Sequence, residues 1–306
     1  MIRFLQRLTL FSVCASGAYI LFIVLAGILL PSALRKNLVY TYGGNGFADR
    51  RLAEADTTTN IDLLFIGSSR AYRGFDTRLF TAVGYRCFNL GSSNQTPVQS
   101  LALIKRYWVS MKPKMVIMEV NPDICSNDGV ESAIDLVSNA PNFHDQWAYA
   151  VSRPDIRVVN TLIFSLAAKA VGIHARFANP PGGQKYINGG FVETDQKPYD
   201  ASSGNDYVCD VSKKQLTALG EIARLVQQRG SKLWLVQAPV VPGLYGECHQ
   251  NTLFDSLMIT TGEYENFNHS EKFVFPDHFA DGQHLNASGV DVLNRLLLQK
   301  IESRVR

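Results

Sequence analysis

Two distant stretches of this chain hold residues whose types and spacing suit acyl transfer through a covalent serine. A serine hydroxyl is a poor nucleophile until a base takes its proton. The base must be oriented by a third group, and the developing oxyanion must meet fixed donors. Ser69 is the nucleophile candidate, in Phe65-Ile66-Gly67-Ser68-Ser69-Arg70. Its turn lies just after a short apolar run, where a helix N-terminus would point backbone N–H groups at negative charge. Asp281-Gly282-Gln283-His284 supplies the other two parts. A carboxylate three residues before an imidazole can reach it in a tight turn and fix its tautomer, leaving the other ring nitrogen as general base. Taken singly, each motif has a plainer reading. Ser68 and Ser69 would cap a helix, and Asp281 would cap the next one.

Donors for an oxyanion are available at two further points. Gly91 closes Phe88-Asn89-Leu90-Gly91-Ser92-Ser93-Asn94, where its backbone N–H is a candidate, and Asn121 follows an apolar run and offers a side-chain amide. Arg70 and Arg73 flank the serine, and with Asn94 they are the candidate substrate-binding residues; the arginines would suit an anionic glycan or phosphate. As helix residues facing solvent they would do nothing. Trp147 and Tyr149 would stack on a sugar or fill a core. Asp277-His278 is a rival acid–imidazole pair without the three-residue spacing. The six histidines, at 144, 174, 249, 269, 278 and 284, form no H-x-x-x-H pattern, so neither a metal nor another cofactor is expected.

The elements that must position these residues alternate. Short apolar runs at 62–66, 86–90, 115–120 and 232–237 read as buried strands. Helical spacing marks 97–111, 212–229 and 287–303, and further helices are expected near 144–152 and 155–172. This alternation predicts a parallel sheet covered on both faces, in which sites form at the carboxyl ends of strands. Gly67-Ser68-Ser69, Gly91-Ser92-Ser93-Asn94 and Asn121 each follow a predicted strand and should meet on one rim. The stretch 37–60 reads as a linker, and 61–306 as one catalytic domain with an insertion at about 123–210.

Ser69 after Gly67, then Gly91, Asn121 and the Asp281/His284 pair, occur in the order of the four blocks of the SGNH (GDSL-like) hydrolase superfamily. The sequence Asp281-Gly282-Gln283-His284-Leu285-Asn286-Ala287-Ser288-Gly289 resembles that family's D-x-x-H-x-N-x-x-G block, the most specific part of the likeness. The resemblance covers roughly 60–125 and 212–303. It implies a three-layer α/β/α sandwich of flavodoxin-like type, with Ser69 as nucleophile, His284 as base and Asp281 as its orienter. It also implies an oxyanion hole of the Ser69 and Gly91 N–H groups with the Asn121 amide. The family's Gly-Asp-Ser is Gly67-Ser68-Ser69 here, and its Gly-x-Asn-Asp is Glu119-Val120-Asn121-Pro122. Gly-Ser-Ser behind an N-terminal anchor is similar to the branch found in envelope O-acylation, of the alginate acetylation and teichoic acid D-alanylation kind. That likeness implies O-acyl transfer to an extracytoplasmic polysaccharide, with a membrane-bound O-acyltransferase as donor partner. An esterase or deacetylase, acting on carbohydrate or lipid, would use the same residues. A non-catalytic scaffold subunit would keep the fold without using them.

Composition sets the compartment. Residues 8–30 carry no charge, between Arg3 and Arg7 on one side and Arg35 and Lys36 on the other. A span of about 20 apolar residues is what a bilayer core of about 30 Å requires of a helix. The run exceeds the apolar core of a usual signal peptide and no A-x-A site follows it, so residues 1–36 are expected to be an uncleaved single-pass anchor with the large domain periplasmic or extracellular. Charges at both ends leave the orientation open. The net charge of +3 over 306 residues gives no basis for nucleic-acid binding. Five cysteines form no C-x-x-C pair; a Cys209–Cys248 bond is one option in an oxidising compartment.

Overall fold

The computed structural model describes residues 1–180, 182–195, 199–200 and 208–305. Its first helix, α1 (Ile2–Leu29), is the candidate membrane span, with a mean hydropathy of 2.2. Residues expected to form only a linker contain α2 (Ala48–Thr57). This helix was hidden because its buried face, Ala48, Arg51, Leu52 and Ala55, includes an arginine. Next come β1 (Leu63–Ile66), α3 (Ser69–Gly74), α4 (Thr77–Ala82), β2 (Cys87–Asn89), α5 (Pro97–Met111) and β3 (Met115–Glu119). The insertion opens with α6 (Pro122–Ser126), α7 (Val130–Asn139), α8 (Phe143–Ser152) and α9 (Ile156–Ala170). It continues with an antiparallel hairpin of β4 (Gln184–Ile187) and β5 (Phe191–Thr194). Its remaining stretches at 181, 196–198 and 201–207 lie outside the described residues. The chain closes with α10 (Lys213–Gln228), β6 (Lys232–Gln237), α11 (Pro242–Glu247), α12 (Asn251–Thr261), β7 (Glu263–Asn266) and α13 (Ala287–Val305).

Five strands form one parallel sheet in the order β2-β1-β3-β6-β7. Alternate strand residues point to opposite faces, and here both faces are covered. Leu64, Ile66, Val116, Met118 and Leu235 pack under α5, α10 and α12. Leu63, Phe65, Met115, Ile117, Trp234 and Val236 pack under α3, α4 and α13. Burial on both sides explains why the strands read as continuous apolar runs. On α13, Leu293, Leu297 and Ile301 are fully buried; each contributes about 1.5–3 kcal/mol and fixes the helix that follows the His284 turn. The result is a three-layer α/β/α sandwich. The chain runs from β1 outward to β2 and then back across β1 to β3, so the order reverses between β1 and β3, and a crevice at the strands' carboxyl ends is expected there.

Candidate active site

The turn after β1 is built for close approach. Gly67 has φ of +143°, and a Cβ there would lie 2.8 Å from the Glu119 Cβ. Ser68 caps α3, its Oγ accepting the Arg70 N–H at 3.2 Å. Ser69 is then the first helical residue, so its N–H is one of the first-turn donors without a partner inside the helix.

The second turn folds on its own carboxylate. Asp281 Oδ1 accepts the N–H groups of Gln283 (2.8 Å) and His284 (2.9 Å). His284 Nδ1 lies 2.9 Å from both Asp281 oxygens. With its proton on Nδ1 the ring presents a lone pair at Nε2, and Ser69 Oγ stands 2.8 Å from that atom. Serine, imidazole and carboxylate therefore form one hydrogen-bonded chain across a separation of 215 residues. Asn286 holds the turn to α13, its Nδ2 donating to the Asp277 carbonyl and its Oδ1 accepting the Gly289 N–H. A Cβ at Gly289 would collide with the His278 carbonyl oxygen, which is why the closing position admits only glycine. His278 Nδ1 accepts the Val274 N–H, so the rival Asp277-His278 pair is part of this turn.

The expected oxyanion donors are placed differently. Gly91 N–H donates to the Asn89 side-chain oxygen at 3.0 Å, so in this state it is engaged inside the loop. Asn121 is fully buried; its Oδ1 caps α6 through the Ile124 N–H and its Nδ2 donates to Glu119 Oε1 at 2.8 Å. The cause is Glu119, a buried carboxylate not anticipated from sequence. Its Oε2 accepts the Ser68 hydroxyl at 2.9 Å. Ser68 and Glu119, two of the three positions (with Pro122) at which the sequence departs from the motifs it resembles, are thus bonded to each other. An acidic residue ending the otherwise apolar run 115–120 was the one available signal.

No family model matches the chain, and no curated protein matches it. Among solved structures it is similar to a GDSL-like lipase from Bacteroides thetaiotaomicron VPI-5482, at 14% identity and a TM-score of 0.43, over 84% of this chain and 98% of that one. A protein named as an acylhydrolase from Bacteroides fragilis NCTC 9343 is similar at 14% identity and a TM-score of 0.43, over 84% and 96% of the two chains. Likeness this distant transfers no activity, and the chemistry rests on the site's own geometry.

Charge and burial tune the pair. Burial pushes the His284 pKa below its usual value, and the Arg73 and Arg70 charges add to this while Asp281 opposes it. Burial alone would raise the Asp281 pKa; the His284 hydrogen bond and charge, with the two backbone donors, hold it below the usual carboxylate range. Both shifts favour a neutral base beside an ionised orienter at neutral pH.

The flanking arginines are not the solvent-facing helix residues that periodicity allows. Arg70 is buried and donates to the Gln283 side chain at 3.0 Å, tying α3 to the Asp281–His284 turn. Arg73 lies over the Tyr72 ring, and its Nε makes no hydrogen bond among the described residues. It borders a small recess at His284 and a neighbouring cleft of about 220 Å³ that also touches Phe191, Thr194 and Leu285. Asn94, at φ of +49°, is held by Glu131 of α7, as is the Ser93 hydroxyl. Tyr149 is core, whereas Trp147 is exposed.

Proposed function

We propose that this chain is a membrane-anchored serine enzyme that transfers acyl groups at the cell envelope, O-acylating an extracytoplasmic polysaccharide. The contact of Ser69 Oγ with His284 Nε2 at 2.8 Å, continued to Asp281, carries this reading. His284 takes the Ser69 proton as Oγ attacks the carbonyl carbon of an acyl donor, and the Ser69 N–H faces the oxygen on which charge develops. Collapse expels the donor's alcohol or thiol, which leaves with the proton from Nε2. A sugar hydroxyl then gives its proton to Nε2, attacks the acyl-serine and takes the acyl group, and the proton returns to Ser69. With water as acceptor the same steps make an esterase.

Two features favour the envelope. An apolar helix long enough to span a bilayer precedes the domain. Cys209 and Cys248 are joined, a bond suited to an oxidising compartment. An anchor also keeps the domain beside a membrane-bound O-acyltransferase able to deliver the acyl group.

The test is labelling with a fluorophosphonate, read by mass spectrometry. Modification is expected at Ser69 and should disappear in Ser69→Ala and His284→Ala. An unlabelled Ser69 in folded protein would refute the enzymatic reading. Incubating labelling-competent protein with a chromogenic acetyl ester, with and without oligosaccharide, separates the acceptors. Acetylated sugar supports the transferase; acetate release with unmodified sugar supports the esterase.

A further inference from the structure

The anchor is not independent of the domain. Tyr19 donates its hydroxyl to Asn160 Oδ1 at 2.6 Å, and the Phe164 ring occupies the space a side chain at Gly27 would need. Residues 19 and 27 of α1 thus meet residues 160 and 164 of α9, so the two helices run in the same sense. The chain that returns from α1 locks this arrangement: Asn160 Nδ2 donates to the Asn37 carbonyl and Thr161 to that of Val39.

This pairing fixes height relative to a bilayer. Every residue of α1 before Ile23 is exposed. At about 1.5 Å per residue, about the first 20 residues cross a core of about 30 Å, and the rest of the helix rises beside the domain. Tyr19, bonded to Asn160, then lies just inside the outer edge of that span. Ile156 begins α9 one turn nearer the bilayer centre. The corner between α8 and α9 is therefore the lowest part of the domain, whichever way it faces sideways.

That corner is apolar where it should be wet. Phe143, Trp147 and Val151 recur every four residues on the outer face of α8, and Ile156 and Val159 follow on α9; all five are between 40% and 58% exposed. The charges beside them are neutralised in pairs, Arg153 with Asp128 and Arg157 with Asp155. Tryptophan beside paired arginines is a composition typical of the membrane interface.

We propose that the α8–α9 corner is a second membrane-contacting element, seated in the lipid interface beside the end of α1. With two contacts instead of one, the domain has a fixed height and tilt over the bilayer. The inference rests on α1 being a span and is independent of the catalytic reading.

Full-length protein is reconstituted into phosphatidylcholine–phosphatidylglycerol vesicles with plain or brominated acyl chains, and tryptophan emission is measured. Trp108 and Trp234 lie within the domain core, so the component that Trp147→Phe removes belongs to Trp147. Brominated lipid should abolish most of that component. The double variant Val151→Asp, Ile156→Asp should restore it while the protein still floats with the vesicles through α1. Trp147 emission that is equal in both vesicles, in protein that floats, overturns the proposal and leaves the anchor standing. Shielding of Trp147 from both bromolipid and aqueous acrylamide would mean that protein covers the face, which also overturns it. Failure to float removes the anchor and the proposal together.

Discussion

Glu119 is expected to hold Ser69 in position, and this can be tested without changing Ser69, Asp281 or His284. Its two oxygens accept hydrogen bonds from Ser68 Oγ (2.9 Å) and Asn121 Nδ2 (2.8 Å), and it is almost fully buried. Glu119→Gln keeps the shape but offers one acceptor and one donor in place of two acceptors. Ser68 must then turn to accept, and its own proton loses its partner. A bond to a charged group exceeds a neutral one by about 1 kcal/mol, so two weakened bonds and one orphaned proton, at about 1–3 kcal/mol, cost about 3–5 kcal/mol. Glu119→Ala leaves a hydroxyl and an amide without acceptors at about 1–3 kcal/mol each, for a loss of about 2–6 kcal/mol. Because Ser68 caps α3, a loosened cap also lets Ser69 drift, and a displacement near 1 Å costs about 10²-fold in rate. Urea unfolding measures the first effect. Ester turnover measures the second, which should fall in kcat more than it rises in KM. The double variant Ser68→Asp, Glu119→Gln returns the carboxylate to residue 68 and should recover part of both losses. Should Glu119→Gln and Glu119→Ala unfold and turn over like the parent, the carboxylate is not what holds the nucleophile turn.

Two further outcomes follow from named contacts. His284 must be neutral to accept the Ser69 proton, and its pKa is lowered in the fold, so kcat/KM should be flat at neutral pH and fall only as pH drops through a value below the usual 6.5. Arg73→Met removes a positive charge that disfavours the imidazolium and should move this acid limb to higher pH; an unmoved limb refutes the electrostatic role given to Arg73. The Cys209–Cys248 bond closes a loop of 39 residues. Loop entropy sets its worth at no more than about 4 kcal/mol, so Cys248→Ser should lower the unfolding free energy by about 2–4 kcal/mol in urea titrations, and reductant should lower the parent equally.

What could be read from the chain depends on where the deciding partner sits. The inner strands β1, β3 and β6 were legible because burial on both faces leaves uninterrupted apolar runs, and the edge strand β2 because its Phe88 is also buried. The other edge strand, β7, Glu263-Tyr264-Glu265-Asn266, is partly or fully exposed along its length, so it carries no such run. Asp281 and His284 were legible as a pair because their contact is local, and Ser69 because strand ends share a rim. The oxyanion donors were not, since Asn89 and Glu119 hold the candidate groups through contacts that no spacing rule encodes. Strand register explains how Glu119 reaches the Ser68-Ser69 turn. β1 and β3 are hydrogen-bonded neighbours with Ile66 opposite Met118, so residue 68, two past the end of one pair, stands beside residue 119, one past the other. A carboxylate placed at either position lies under the same turn, next to the same serine. The physical requirement is a buried acceptor beneath the nucleophile, and adjacent parallel strands let either one supply it.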